Sequence, residues 1–259
     1  MTQPIQTGWP AMLNKVPEVT LAFWVIKILS TTVGETGADY LAVNVGLGSS
    51  ATTGIMATLL AAALITQIQM RRYVPWIYWL SVVLVSIVGT QITDALTDGL
   101  GVSLYASTSV FAVMLAAIFG VWYGVERTLS IHTIVTTRRE LFYWTAILIT
   151  FALGTAAGDL ATEALGLGFT VGVFAFGALI ALIWVTYAIG ANPVLTFWLA
   201  YILTRPLGAS IGDLLSQARE YGGAGLGTVY TSVAFLVVIA LLVAFANTGQ
   251  RQRPMSETA

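Results

Sequence analysis

Four aspartates end four copies of one short pattern, in which a glycine precedes the aspartate by five residues. The copies are Gly34 with Asp39, Gly89 with Asp94, Gly154 with Asp159, and Gly208 with Asp213. Carboxylates, with the serine and threonine hydroxyls that lie nearby in the sequence, are the oxygen ligands that Mg²⁺, Ca²⁺ and Mn²⁺ prefer. The pattern therefore predicts a site or pathway for a hard cation, in which the same carboxylates could also carry protons.

In three of the copies, a second acid lies four residues from the motif aspartate. This spacing places both acids on one helix face. The pairs are Glu35 with Asp39, Asp94 with Asp98, and Asp159 with Glu163. We take Glu35 as a further ligand, together with the four motif aspartates.

Two basic residues make the copies unequal. Lys27 in the first copy is expected either to extend its charge to the inner membrane interface or to pair with an acid inside the protein. Arg205 in the fourth copy lies deeper and needs a carboxylate partner, and Pro206 beside it predicts a kink. Lys27 and Arg205 are therefore candidates for gating a cation site.

A purely structural interpretation of the motif stays open. Small residues spaced along helices are an ordinary device for packing membrane helices closely. In that interpretation the motif aspartates satisfy loop amides or pair with a neighbouring helix. Duplication of a packing motif would produce the same recurrence.

The composition is that of a membrane protein, because 57% of the 259 residues are hydrophobic and only 9% are charged. Cysteine is absent and His132 is the single histidine, so thiolate chemistry and Cys/His zinc sites are excluded. The net charge of -1 gives no field for nucleic acid. We find no nucleophile and base in a recognised motif, so we predict no enzyme and no required cofactor, while a bound divalent cation (Mn, Mg or Ca) stays open.

Apolar windows of about 20 residues, the length that crosses the hydrocarbon of a bilayer, predict about eight transmembrane helices. They lie near 19–41, 51–70, 75–97, 103–125, 140–163, 169–189, 194–216 and 227–247. The segment 248–259 is polar and is predicted to be a flexible cytoplasmic tail.

Basic residues cluster in alternate loops, which places those loops and both termini on the cytoplasmic side. They are Lys15, Arg71, Arg72, Arg127, Arg138, Arg139, Arg251 and Arg253, while Arg219 departs from the pattern. Aromatic-Trp pairs near the start of the odd spans suit a belt at the headgroups of the inner interface. The longest internal connection, 126–140, is a candidate gate, and His132 within it is expected at the surface.

The motif belongs to a longer repeat that places Trp ten residues before the glycine in all four copies. A Gly-Leu-Gly segment follows each copy, at 46–48, 99–101, 166–168 and 225–227. This predicts one membrane domain of four two-helix units, approximately 17–72, 73–127, 138–190 and 191–247. Because each unit has two spans, the repeats are parallel and related by pseudo-fourfold or pseudo-twofold symmetry about the membrane normal, with the motif helices at the centre.

Three segments resemble a widespread bacterial family of uncharacterised, repeat-containing, membrane-anchored proteins. They are KVPEVTLAFWVIKILSTTVGETGADYL, ERTLSIHTIVTTRRE and LTRPLGASIGDLLSQ. The resemblance implies a multi-pass protein of the bacterial cytoplasmic membrane and carries no activity with it. Bacterial manganese and calcium exporters also use short Gly/acid motifs in duplicated helices, but their Glu-x-Gly-Asp pattern is not present here.

The sequence favours a transporter of a small cation, such as Mn²⁺ exchanged for protons, with the motif acids as ligands or proton carriers. The alternative is a membrane binding or scaffold protein whose intramembrane charges form internal ion pairs. The expected partners are the lipid bilayer and the cation, and a homo-oligomer stays open.

Overall fold

The computed structural model describes residues 14–40 and 48–251, and its regular secondary structure within them is entirely helical. The side chains of 38, 39, 49 and 246–251 are not among the described ones, so the side chain of the predicted ligand Asp39 lies outside them, as does the predicted tail beyond residue 251. Eight long helices are present in these ranges. They are α1 (Leu21–Asp39), α2 (Ser49–Gln69), α3 (Pro75–Asp94), α4 (Leu104–Glu126), α5 (Thr137–Asp159), α6 (Gly168–Ala188), α7 (Pro193–Ser216) and α8 (Thr228–Arg251).

All eight predicted spans are helices, and polar caps or prolines begin several of them. The side chains of Thr20, Thr136 and Asn192 accept hydrogen bonds from the first backbone amides of α1, α5 and α7. Over their described residues, α2 to α8 are seven helices long and apolar enough to cross a membrane. The helices therefore indicate a multi-pass membrane protein.

The motif aspartate is the last α-helical residue of α1, α3 and α5. A five-residue π-helical segment follows it in the second and third units, over Ala95–Gly99 and Leu160–Ala164. In the fourth unit, α7 runs on past Asp213 to Ser216, and it continues without a break through Pro206. The units therefore differ in backbone at their motif acids, and π-helical segments are frequent at functional sites.

The second glycine of each Gly-Leu-Gly segment bends the chain toward the returning helix. Its φ is +75° at Gly48, +66° at Gly101, +71° at Gly168 and +80° at Gly227. Residues with a side chain rarely adopt this left-handed conformation, so the recurring glycine has a backbone reason.

The four motif helices pack in a closed ring, in which α1 contacts α3, α3 contacts α5, α5 contacts α7 and α7 contacts α1. Each returning helix packs against the motif helix of the next unit: α2 on α3, α4 on α5, α6 on α7, and α8 on α1. The ring helices are the buried ones, since 83% of the span in α3 is buried against 6% in α6. The outer helices present their apolar side chains outward, as lipid-facing helices do.

Six of the eight side chains of the aromatic-Trp pairs are buried inside the bundle, and Trp24 and Phe197 are partly buried, so the pairs do not form the exposed headgroup belt that the sequence predicts. Tyr78 and Tyr143 are 0% exposed, and Phe23, Trp79, Trp144 and Trp198 are at most 4% exposed. The aromatic residue before each Trp contacts the Trp of the next unit. The ring-centroid distances are 5.6 Å for Phe23–Trp79, 5.5 Å for Tyr78–Trp144, 6.2 Å for Tyr143–Trp198 and 5.6 Å for Phe197–Trp24. Burial of large aromatic rings against one another stabilises this layer of the bundle.

Candidate functional site

The motif glycines are the points at which neighbouring ring helices touch. A β-carbon at Gly34 would lie 2.5 Å from Cβ of Ser86, and one at Gly89 would lie 2.6 Å from Cβ of Phe151. A β-carbon at Gly208 would lie 2.6 Å from Cβ of Thr31, and one at Gly154 would collide with Cβ and Cγ of Arg205. Two carbon atoms cannot approach so closely, so all four positions need glycine.

The four close contacts obey one rule of register. Thr31, Ser86, Phe151 and Arg205 each lie three residues before the motif glycine of their own unit. Each of them packs against the motif glycine of the preceding unit, and Thr31 of the first unit packs against that of the fourth. The glycine and the residue three before it therefore set the spacing of the ring.

Arg205 places its guanidinium in the core of this ring. The whole residue is 0% exposed, and its Nη2 donates to Oε2 of Glu35 at 2.5 Å. The same nitrogen contacts the hydroxyl oxygens of Thr90 and Thr155, the latter at 2.7 Å. Glu35, Thr90 and Thr155 each follow a motif glycine directly, so Arg205 binds equivalent positions of the other three units. Its predicted need for a carboxylate partner is confirmed.

Lys27 is also buried in the ring, with 0% of its surface exposed, so the expectation that it reaches the interface is wrong. The expectation of an acidic partner is wrong as well among the described residues, where its Nζ has no hydrogen-bond acceptor. The Nζ lies instead 3.9 Å from the ring centroid of Phe151 and 4.3 Å from that of Tyr201. Arg205 acts on Lys27 electrostatically. The aromatic rings therefore take the place of an acid.

Several buried donors of the ring have no partner in the described part of the protein. They are Nε and Nη1 of Arg205, Nζ of Lys27, the hydroxyl of Tyr201 and the hydroxyl of Ser86. All belong to residues that are 0% exposed. Buried polar atoms without partners are uncommon in native proteins, so each one needs an explanation.

Acidic side chains gather at the end of the ring where α1, α3 and α5 finish. Asp159 is partly buried and interacts electrostatically with Glu35, Glu163 and Asp94, and also with Arg205. Glu163 interacts with Glu35 and with Asp98. The described members of this group, which we call the acidic end, are Glu35, Asp94, Asp98, Asp159 and Glu163.

The described residues do not form a ready metal site, since no group of three or more acidic or histidine side chains among them is arranged to hold a metal ion. Asp213 is partly buried near the end of α7. Of the predicted site residues, Glu35, Asp94, Asp159, Lys27 and Arg205 share the ring and act on one another through the contacts above.

A second buried charge cluster, which sequence reasoning missed, lies at the opposite end of the ring. Nζ of Lys15 donates to Oε2 of Glu140 at 2.6 Å, and both side chains are 1% exposed. The same Nζ donates to the carbonyl of Ile68 at 2.8 Å, and Gln67 donates to Glu140 at 3.2 Å. Lys15 thus ties the segment before α1 to the ends of α2 and α5.

The 126–140 connection is closed by ion pairs of its own. Glu126 accepts from Nε of Arg138 at 2.5 Å and from Nε of Arg139 at 2.6 Å. The indole of Trp198 donates to the carbonyl of Leu129 at 2.9 Å. His132 is exposed, as predicted.

These features define an all-helical, multi-pass architecture of four two-helix repeats around a charged core. The chain belongs to the family described as Repeat of Unknown Function (DUF347), whose model matches residues 22–73, 77–128, 142–189 and 196–251. The predicted internal repeat and the predicted repeat-containing family are confirmed. No curated protein and no solved structure shows significant similarity to the chain.

Proposed function

We propose that this protein is a transporter of a small cation, a divalent metal such as Mn²⁺ exchanged for protons, in the bacterial cytoplasmic membrane. Both termini then face the cytoplasm, because the basic residues favour that side. The acidic end faces outward and forms the mouth of the cation pathway. The substrate is cargo, so the acids bind it transiently.

One observation carries the proposal: the carboxylate of Glu35 belongs both to the acidic end and to the ion pair with Arg205. A cation attracted by Asp159 and Glu163 would compete with Arg205 for Glu35. The guanidinium repels cations while it stays in place, so the Glu35–Arg205 pair acts as the closed gate. Release of Arg205 opens the pathway, and protonation of the acids expels the cargo.

Energetics agree with a gate that opens only when a substitute charge is present. Removal of one partner from a buried ion pair costs about 3–5 kcal/mol, since the other charge is left uncompensated. A bound cation replaces the guanidinium beside Glu35 and offsets that cost. The acids must rearrange to bind it, because the described side chains do not form a ready metal site.

The test is cation flux in proteoliposomes that contain the purified full chain. Uptake of Mn²⁺, Mg²⁺, Ca²⁺, Zn²⁺ and Na⁺ is measured with and without a pH gradient. Asp159→Asn removes a charge of the acidic end, and Glu220→Gln, an exposed acid beyond α7, is the matched control. Saturable flux that Asp159→Asn abolishes and Glu220→Gln retains supports transport. Absence of flux for every cation rejects it.

A second candidate is a binding or scaffold protein of the membrane whose buried charges serve the fold. The observation that favours it is the internal contact of Arg205 with Glu35, Thr90 and Thr155. Its test is the charge-swapped pair Glu35→Arg with Arg205→Glu. Two results together support the scaffold role. The double variant recovers thermal stability, and the wild type moves no cation.

A further inference from the structure

We propose that the ring core holds a small inorganic anion of the halide class, bound between Lys27 and Arg205. The inference does not require cation transport, although it shares Arg205 with the proposed gate, since it concerns the two buried charges as they lie when no substrate is bound. It rests on buried donors, on charge and on the packing of the two residues against α5.

The donors come from residues that are wholly buried. Nζ of Lys27 and Nε and Nη1 of Arg205 have no acceptor among the described residues. The hydroxyl of Tyr201, whose ring contacts Nζ of Lys27, is unpartnered as well. While they are charged, these nitrogens can donate hydrogen bonds but cannot accept them. The missing component is therefore an acceptor.

Charge favours an anion over water as that acceptor. Glu35 is the carboxylate that contacts Arg205 directly, and Lys27 has no carboxylate contact among the described side chains. Burial of an ammonium stays costly even after relaxation. The aromatic faces of Phe151 and Tyr201 offset part of that cost. An anion beside Lys27 supplies the remaining stabilisation and also reduces its repulsion with Arg205.

Packing on α5 brings the two cations near each other. Nζ of Lys27 lies over the ring of Phe151, and Cβ and Cγ of Arg205 pack against Gly154, three residues further along the same helix. Three residues are about one helical turn, or roughly 4.5 Å along the axis. An ion bound beside Lys27 therefore lies close to the base of Arg205.

A halide fits the surroundings better than a larger oxyanion. The ring helices touch at their motif glycines about two helical turns beyond Lys27, and the rings of Phe151 and Tyr201 cover its Nζ. The wall beside Lys27 is therefore aromatic, and the few donors suit a spherical ion. Chloride and bromide are the probes.

The experiment starts from protein purified in gluconate, an anion too large for this core. Chloride or bromide is titrated at constant ionic strength, and thermal unfolding is followed. We expect saturable stabilisation by both halides. In Lys27→Met the apparent affinity should fall at least about tenfold, whereas Arg219→Gln, which changes an exposed arginine, should behave as the wild type.

A direct measurement keeps the test decisive if Lys27→Met does not fold. Calorimetric titration of the wild type with bromide should give one site per chain. Wild-type protein whose stability and calorimetric heats are the same in gluconate and in halide would overturn the proposal. That result would mean that Lys27 is buried as a neutral amine.

Discussion

Gly154 on α5 lies so close to Arg205 on α7 that a β-carbon at position 154 would overlap the Cβ and Cγ of the arginine. Arg205 is held in the ring core by this backbone contact as well as by its pair with Glu35. The glycine that spaces the helices therefore also positions the buried charge.

Replacement of Gly154 by alanine should destabilise the protein. Overpacking costs about 1–3 kcal/mol or more, and here the obstructing atoms are the fixed base of a buried side chain. Thermal unfolding in detergent measures the effect. The matched control is Gly120→Ala on the outer helix α4, where no atom lies within 4 Å of the added carbon. The control should be neutral or slightly stabilising, because alanine favours helix. Equal midpoints for the two variants would contradict the packing role of Gly154.

Replacement of Glu35 by glutamine should cost about 3–5 kcal/mol, because it leaves the guanidinium of Arg205 buried without a counter-charge. The double variant Glu35→Gln with Arg205→Gln should recover part of that loss. A double-mutant cycle on unfolding free energies isolates the coupling between the two residues. A coupling energy near zero would show that the pair does not stabilise the ring.

Sequence reasoning predicted the eight helices and the four units well, because long apolar windows and exact spacing are strong local signals. It also predicted that Arg205 needs an acid. The identity of that acid depends on which helices are neighbours, and the spacing of one unit says nothing about its partner. Alignment of the four copies contained a usable signal, since Glu35, Thr90 and Thr155 occupy the same position of the repeat.

Other features needed tertiary structure. The aromatic-Trp pairs look like interface anchors in a single span, yet each ring packs on the next unit around a closed circle. Lys27 has a long apolar stem that suits either an interface or an aromatic core. In the sequence Lys15 indicates only orientation, whereas in the structure it forms a buried ion pair with a residue that is 125 positions away.

The hydroxyls of Tyr78 and Tyr143 lie 2.5 Å apart in the buried aromatic layer. Tyr78→Phe should destabilise the protein by about 1–3 kcal/mol, because it leaves the hydroxyl of Tyr143 without this partner. Removal of both hydroxyls should leave the free energy of unfolding nearly unchanged, since no buried hydroxyl is then left without this partner. Tyr230→Phe, at a site 78% exposed, is the control. Additive losses in the double variant would argue against a shared hydrogen bond.

Lys15 should hold the segment before α1 against the end of the bundle. Its charge is buried against Glu140, and its backbone amide donates to the carbonyl of Ile134 at 3.2 Å. Glu140→Gln removes the counter-charge but keeps a side chain that can bond to Gln67. We expect amide exchange of residues 14–20 to accelerate by about tenfold or more, since loss of over 1.4 kcal/mol shifts local opening by that factor.

The control for this experiment is Glu126→Gln, which weakens ion pairs to Arg138 and Arg139 in the neighbouring connection. Arg138 is largely exposed, so that variant should loosen the connection around 127–136 and leave residues 14–20 protected. Lys15→Met should reproduce the Glu140→Gln pattern from the other side of the pair, because each change leaves one buried charge alone. If exchange in 14–20 stays slow in both Lys15→Met and Glu140→Gln, then the segment is held by its apolar side chains, among which Val16 is buried.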